Sequence, residues 1–178
     1  MKEYLKNLKL LDHLTTEIII QKDDFVSKFR GHVDDGSTGM FSGSFDMVSS
    51  SKNEYRGHVG PEGFKIKRKK RLFDVNGNIA IASGSYRQEG EKLIIDMEVN
   101  GYTGIMIPFC VFIIGSYLMF IVMFFIGGSL GEGIPVFTLP FVLLHTALML
   151  GIPYFMMRSS VRELKHDLER EFFYMTKK

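Results

Sequence analysis

Apolar positions change period along the chain, and each period predicts a different element. From residue 54 to 102 they alternate. Residues 54–59 predict a strand, Gly60-Pro61-Glu62-Gly63 a turn, residues 64–71 a second strand with Phe64 and Ile66 on one face, and Asn76-Gly77-Asn78 another turn. Residues 79–87 follow as a third strand, with Ile79 and Ile81 sharing a face. Glu89-Gly90-Glu91 turns again. Residues 93–102 make a fourth strand with Ile95, Met97 and Val99 inside and Asp96, Glu98 and Asn100 outside. This pattern predicts an antiparallel β-meander with one buried face. Upstream, residues 17–20 (EIII) predict a short strand. Residues 21–33, with Phe25, Phe29 and Val33 at i, i+4 and i+8, predict a short amphipathic helix. Residues 34–43 have the composition of a loop.

Past residue 102 the alternation stops. Residues 105–157 contain no Lys, Arg or Asp and one Glu, Glu132. Two apolar runs, about residues 104–127 and 135–157, flank a glycine-rich break. Each is long enough to cross a bilayer, which takes roughly 20 helical residues at about 1.5 Å each. They predict a transmembrane helical hairpin. After it, Ser160-Val161-Arg162-Glu163 has the spacing of a capping box. It predicts the start of an amphipathic helix whose stripe is Val161, Leu164, Leu168, Phe172 and Met175, with Lys165 and Glu169 set to pair. The expected packing of that stripe is on the sheet.

The expected fold class is therefore α+β: a meander with a short N-terminal helix, then the hairpin, then a C-terminal amphipathic helix. The expected domains are residues 1–101, 102–158 and 159–178. Mean hydropathy, +0.07, averages a polar first part and a very apolar middle and so conceals this division.

Charge adds a direction. Lys and Arg are frequent before the hairpin, and Arg158, Arg162, Lys165, Arg170, Lys177 and Lys178 follow it, while the connecting loop has no positive residue. The positive-inside rule then places both termini in the cytoplasm, as a multi-pass protein of the inner or plasma membrane. Tyr102 and Tyr154 fit an interfacial aromatic belt. The N-terminus, MKEYLKNLKLLDHLTTE, breaks its leucines with charges and does not read as a signal peptide.

Candidate chemistry is sparse. Lys65, Lys67, Arg68, Lys69, Lys70 and Arg71 form the densest basic run, expected to face anionic lipid headgroups. Its plain structural alternative is a strand edge blunted by Lys. Aromatic residues are not interleaved through it and net charge is only +2, so no nucleic-acid partner is expected. His145 is the one ionisable side chain deep in either run. A bond to Ser116 or Tyr117 of the other run is expected, and Ser116 and His145 together are the candidate intramembrane polar pair. The single Cys110 supplies neither a disulfide nor a zinc site and reads as a small apolar residue of a helix. A metal site from His32, Asp35 and His58 is conceivable but poorly supported by spacing. With no nucleophile elbow and no phosphate-binding loop, an enzyme is not expected, nor is a cofactor.

The segments YRGHVGPEGFKIKRKKRLF, ASGSY and LIIDMEV, followed by two apolar runs and a charged helix, resemble a family of small uncharacterised bacterial membrane proteins. The resemblance spans most of residues 15–175 and implies a pleckstrin-homology-like sheet ahead of the hairpin. It implies no activity and no catalytic residues. The Ser/Gly-rich insert around residues 34–53 departs from it. The expected function is a non-enzymatic, membrane-anchored cytoplasmic module that contacts lipid, a protein partner or a second copy. The alternative is a small oligomeric transport or channel subunit.

Overall fold

The computed structural model describes residues 2–39, 51–69, 79–102, 106–128 and 138–177. The chain divides into two compact units, one formed by Met1–Thr103 with Met156–Lys178 and the other by Gly104–Phe155.

The first unit is built on one six-stranded sheet: β1 (Leu11–Ile19), β2 (Val33–Asp35), β3 (Tyr55–Val59), β4 (Gly63–Arg68), β5 (Ile81–Glu89) and β6 (Lys92–Asn100). The order across the sheet is β1-β6-β5-β4-β3-β2. Strands β3 to β6 are the meander expected from the alternating pattern, joined antiparallel in sequence. The sheet is wider than expected by one strand at each edge. β1 pairs antiparallel with β6 and begins at Leu11, six residues before the predicted strand. β2 pairs parallel with β3, so Val33 belongs to a strand and not to the helix before it.

That helix, α2 (Lys22–Gly31), buries Phe25, Val26 and Phe29. The short α1 (Lys2–Asn7) precedes β1 and buries none of its side chains. The last helix, α4 (Thr138–Thr176), is continuous and carries Pro153 within it. No new helix opens at Ser160, because its hydroxyl is engaged elsewhere: the backbone N–H groups of Ile79 and Ala80 donate to Ser160 Oγ at 3.1 and 3.0 Å. Nor does Lys165 turn along the helix to Glu169. It bonds Asp12 Oδ2 on β1 at 2.8 Å.

One core holds this unit together. Val161, Leu164, Leu168, Phe172 and Met175 of α4 are buried in the same cluster as Phe25 and Phe29 of α2 and the inner face of the sheet. The Phe172 ring lies edge-on to Phe25, Phe29 and Phe64 at centroid distances of 5.5, 5.4 and 6.1 Å. Such tilted pairs add about 0.5–1.5 kcal/mol each beyond burial. On β6, Ile95, Met97 and Val99 point into this core. On β5 the inward residues are Ala82 and Tyr86, so Ile81 lies on the other face. The small Ala82 and Gly84 leave room for the aromatic cluster. A Cβ on Gly84 would lie 2.5 Å from the Phe64 ring.

Two further glycines set the geometry. Gly57 has φ +156°, and a Cβ there would lie 2.1 Å from the Lys65 carbonyl oxygen. Gly101, at the end of β6, lets α4 approach closely: its Cβ would lie 2.5 Å from Val161 Cγ2 and 2.9 Å from the Met157 carbonyl oxygen.

The second unit contains α3 (Met106–Gly128) and the first part of α4. Among the described residues one helix is long and apolar enough to cross a membrane, by length and composition: Pro140–Thr176. The apolar helix Pro108–Met123 is shorter.

Candidate functional site

Polar or charged side chains gather in three places: the basic run on β4, the polar pair between α3 and α4, and a basic cleft beside α1.

The described part of the basic run on β4 is divided between the two faces of the sheet. Alternation along the strand sends Lys65 and Lys67 to the outer face and Arg68 to the inner one. Lys65 is exposed. Lys67 is buried and its Nζ donates to the Gly39 carbonyl at 2.9 Å. Arg68 pairs with Asp167 of α4 at 3.1 Å. Lys69 is buried and bonds the Asp34 carboxylate, which also accepts from Ser51 Oγ at 2.8 Å and Asn53 Nδ2 at 2.7 Å. The Lys69 bond, with those from Ser51 and Asn53, holds the Asp34 carboxyl below the usual carboxylate range despite its partial burial. A buried ammonium needs an acceptor. Lys67 and Lys69 have theirs, which ties this end of β4 to β2 and the segment after it. Lys70 and Arg71 lie outside the described residues.

In the second unit the Tyr117 hydroxyl and His145 Nδ1 are in hydrogen-bond contact. Of the two expected partners, His145 meets Tyr117 and not Ser116. Phe141 stacks on the imidazole at 6.1 Å with a 14° interplanar angle. These side chains, with Phe112, Ser116 and Phe120, border an otherwise apolar cavity of about 390 Å³. The arrangement satisfies one imidazole nitrogen without an acid. Among the described residues no group of three or more His, Cys, Asp or Glu is placed to hold a metal. His32 Nδ1 lies 2.9 Å from the Lys28 carbonyl oxygen, while His58 Nδ1 lies 3.9 Å from Asp35 Oδ1 at the surface. The conceivable His32–Asp35–His58 site is therefore not assembled.

The third place was not visible in sequence. Lys6, Lys9, Arg158 and Arg162 converge on a cleft of about 460 Å³, with Leu11, Asp12 and Val161 completing its walls. All four cations are exposed, and none has an acidic partner among the described residues. Asp12 adds little negative charge, because Lys165 already bonds it at 2.8 Å. Burial pushes the Asp12 carboxyl up, but the bonds from Lys165 and the His13 N–H outweigh it and hold the carboxyl below its ordinary range. The chain reaches the cleft by tight local geometry. The Leu10 N–H bonds the Leu5 carbonyl at 2.9 Å, closing the end of α1, and Lys9 sits at φ 56°. On β6's far end, the Gly101 N–H bonds the Leu10 carbonyl at 2.9 Å, where α4 passes close by.

No protein-family model, no curated protein and no solved structure matches the chain.

Proposed function

We propose that the chain is a non-enzymatic, membrane-anchored module. Its two apolar segments cross the bilayer as a hairpin with both termini cytoplasmic, and the sheet unit binds lipid or a protein partner at the inner surface. This is the architecture that the resemblance to small bacterial membrane proteins implies. The observation that carries the reading is the surface of the second unit. Val111, Phe112, Leu118, Met119, Phe120, Phe141, Leu143 and Leu144 are all exposed there, on both helices, and no charged side chain stands among the described residues of either segment before Arg158. Contiguous apolar surface on that scale calls for a non-aqueous neighbour. A bilayer supplies one, since helices satisfy their own backbone groups there.

Topology is tested by thiol labelling in a Cys110→Ser background. Glu132→Cys should react with a membrane-impermeant maleimide on intact cells. Lys2→Cys and Thr176→Cys should react only after permeabilisation. Labelling of all three in intact cells, or release of the chain by alkaline carbonate, would sink the anchored hairpin.

A second reading, a small oligomeric transport or channel subunit, is favoured by one observation: the Tyr117–His145 pair and Ser116 place polar groups on an apolar cavity. Sizing in detergent separates the two. A monomer removes the channel, and a defined oligomer supports it.

A further inference from the structure

The first unit has many charges, and several of its described cations are paired with acids. Lys2 bonds Glu98, Arg68 pairs with Asp167, Lys92 with Glu17, and Lys165 with Asp12. The cleft beside α1 is the exception, with four cations facing one space and no acid left to neutralise them. Like charges brought together without a counter-ion repel, and a bound anion relieves them. Two of the four are arginines, one helical turn apart on α4, whose planar guanidinium groups suit the oxygens of a phosphate. The cleft volume falls within the range of small-ligand sites.

Lys9 supplies a second, independent observation. Its φ of 56° lies in the left-handed region, where a residue with a Cβ is disfavoured and glycine is usual after a helix. That backbone conformation is the one that follows α1, and it carries a side chain that lines the cleft. The position of Arg158 adds a third. It is the first charged residue after the apolar run that ends at Met157. A cation at that point of a membrane helix stands at headgroup level.

We infer that the cleft of Lys6, Lys9, Arg158 and Arg162 binds the phosphate of an anionic phospholipid headgroup. The inference rests on the anchored reading above and gives it a site. It moves the lipid contact from the β4 run, where Lys67, Arg68 and Lys69 are engaged within the fold, to residues from both ends of the chain.

The test uses the full chain in nanodiscs of mixed phosphatidylcholine and phosphatidylglycerol, with bound lipid read by native mass spectrometry. The expected result is phosphatidylglycerol enriched over its bulk share. The triple variant Lys9→Gln, Arg158→Gln, Arg162→Gln should lower that enrichment by about tenfold or more. All three side chains are exposed, so the variant should keep the parent's thermal midpoint. Lys65→Gln, on the exposed strand face, should leave the enrichment unchanged. Equal lipid content in parent and triple variant overturns the inference while the anchored reading stands. Displacement of the lipid by millimolar inorganic phosphate overturns the lipid as source and assigns the cleft to a soluble phosphate compound. A chain that fails to enter nanodiscs removes the anchored reading. Inorganic phosphate then decides the site: no shift in thermal midpoint overturns the anion, and a shift lost in the triple variant keeps it as a soluble one.

Discussion

Phe172, Phe25 and Phe29 in the sheet unit are wholly buried, whereas Phe112 and Phe141 in the helical unit are 71% and 67% exposed. The residue type is the same and its placement is opposite. The sheet unit gathers its aromatics between α2, α4 and one face of the sheet and turns most of its Asp, Glu and Lys outward. The helical unit has exposed apolar side chains on both helices and turns two of its polar ones, Tyr117 and His145, toward each other. Burial by protein and burial by lipid are two answers to the same cost of apolar surface in water. A helix apolar all round is the mark of the second.

The largest test of the contrast is a pair of truncations. Phe172→Ala empties a fully buried position that touches three other rings, and should cost about 3–5 kcal/mol. Phe112→Ala removes an equal side chain from an exposed position and should stay within about 0.5 kcal/mol. Denaturant unfolding in detergent, followed by amide exchange in the unit that carries each variant, reads both. Equal losses would mean that Phe112 is packed by protein. The next effect is on insertion. Leu118→Arg places a charge on an exposed face of α3, and should make membrane integration less favourable by about 2.5–3.5 kcal/mol. The integrated fraction in microsomes measures it, and unchanged integration would argue that this face never meets lipid.

How far the two units were legible follows from which forces are local. β3 to β6 and the α4 stripe could be read because each alternates or repeats against one core within a few residues. β1 could not. Its inward positions are Asp12, Leu14, Thr16 and Ile18, so polar residues stand on both faces of this edge strand. β2 has only three residues and depends on its parallel partner β3. The capping-box spacing at Ser160 misled because the hydroxyl's two donors, Ile79 and Ala80, come from a distant part of the chain. The partners of the basic run were out of reach for the same reason. A window of sequence displays the charge of Lys67 and Lys69 but not the acceptors at Gly39 and Asp34. The cleft, drawn from residues 6, 9, 158 and 162, has no window at all.

Acid should probe the sheet unit alone. Asp34 titrates below its ordinary value in the folded chain because Lys69, Ser51 and Asn53 bond its ionised form. A carboxyl with a depressed folded pKa contributes stability that is complete above its unfolded value, about pH 4, and is lost as pH falls through the folded one. Asp12, held down by Lys165, adds in the same direction. The unfolding midpoint of the sheet unit should therefore fall below about pH 4. The helical segments, which carry no carboxylate among their described residues before Glu163, should keep their helical signal there. Simultaneous loss of both signals would show that the units are not independent in stability.

The smallest expected effect lies in the helical unit. Tyr117→Phe keeps the ring and deletes the hydroxyl that His145 Nδ1 meets. Hydrogen bonds between membrane helices contribute about 0.6 kcal/mol on average, since each polar group finds other partners when the pair separates. The loss should be of that size, read from the thermal midpoint in detergent. Tyr117→Phe combined with His145→Phe should recover it, because the second change removes the orphaned imidazole along with its partner. If the single variant instead costs several-fold more and the double variant does not recover, the pair lies in a closed, dry site. The helical unit would then have a protein-built core of its own, and the contrast with the sheet unit would narrow at this one position.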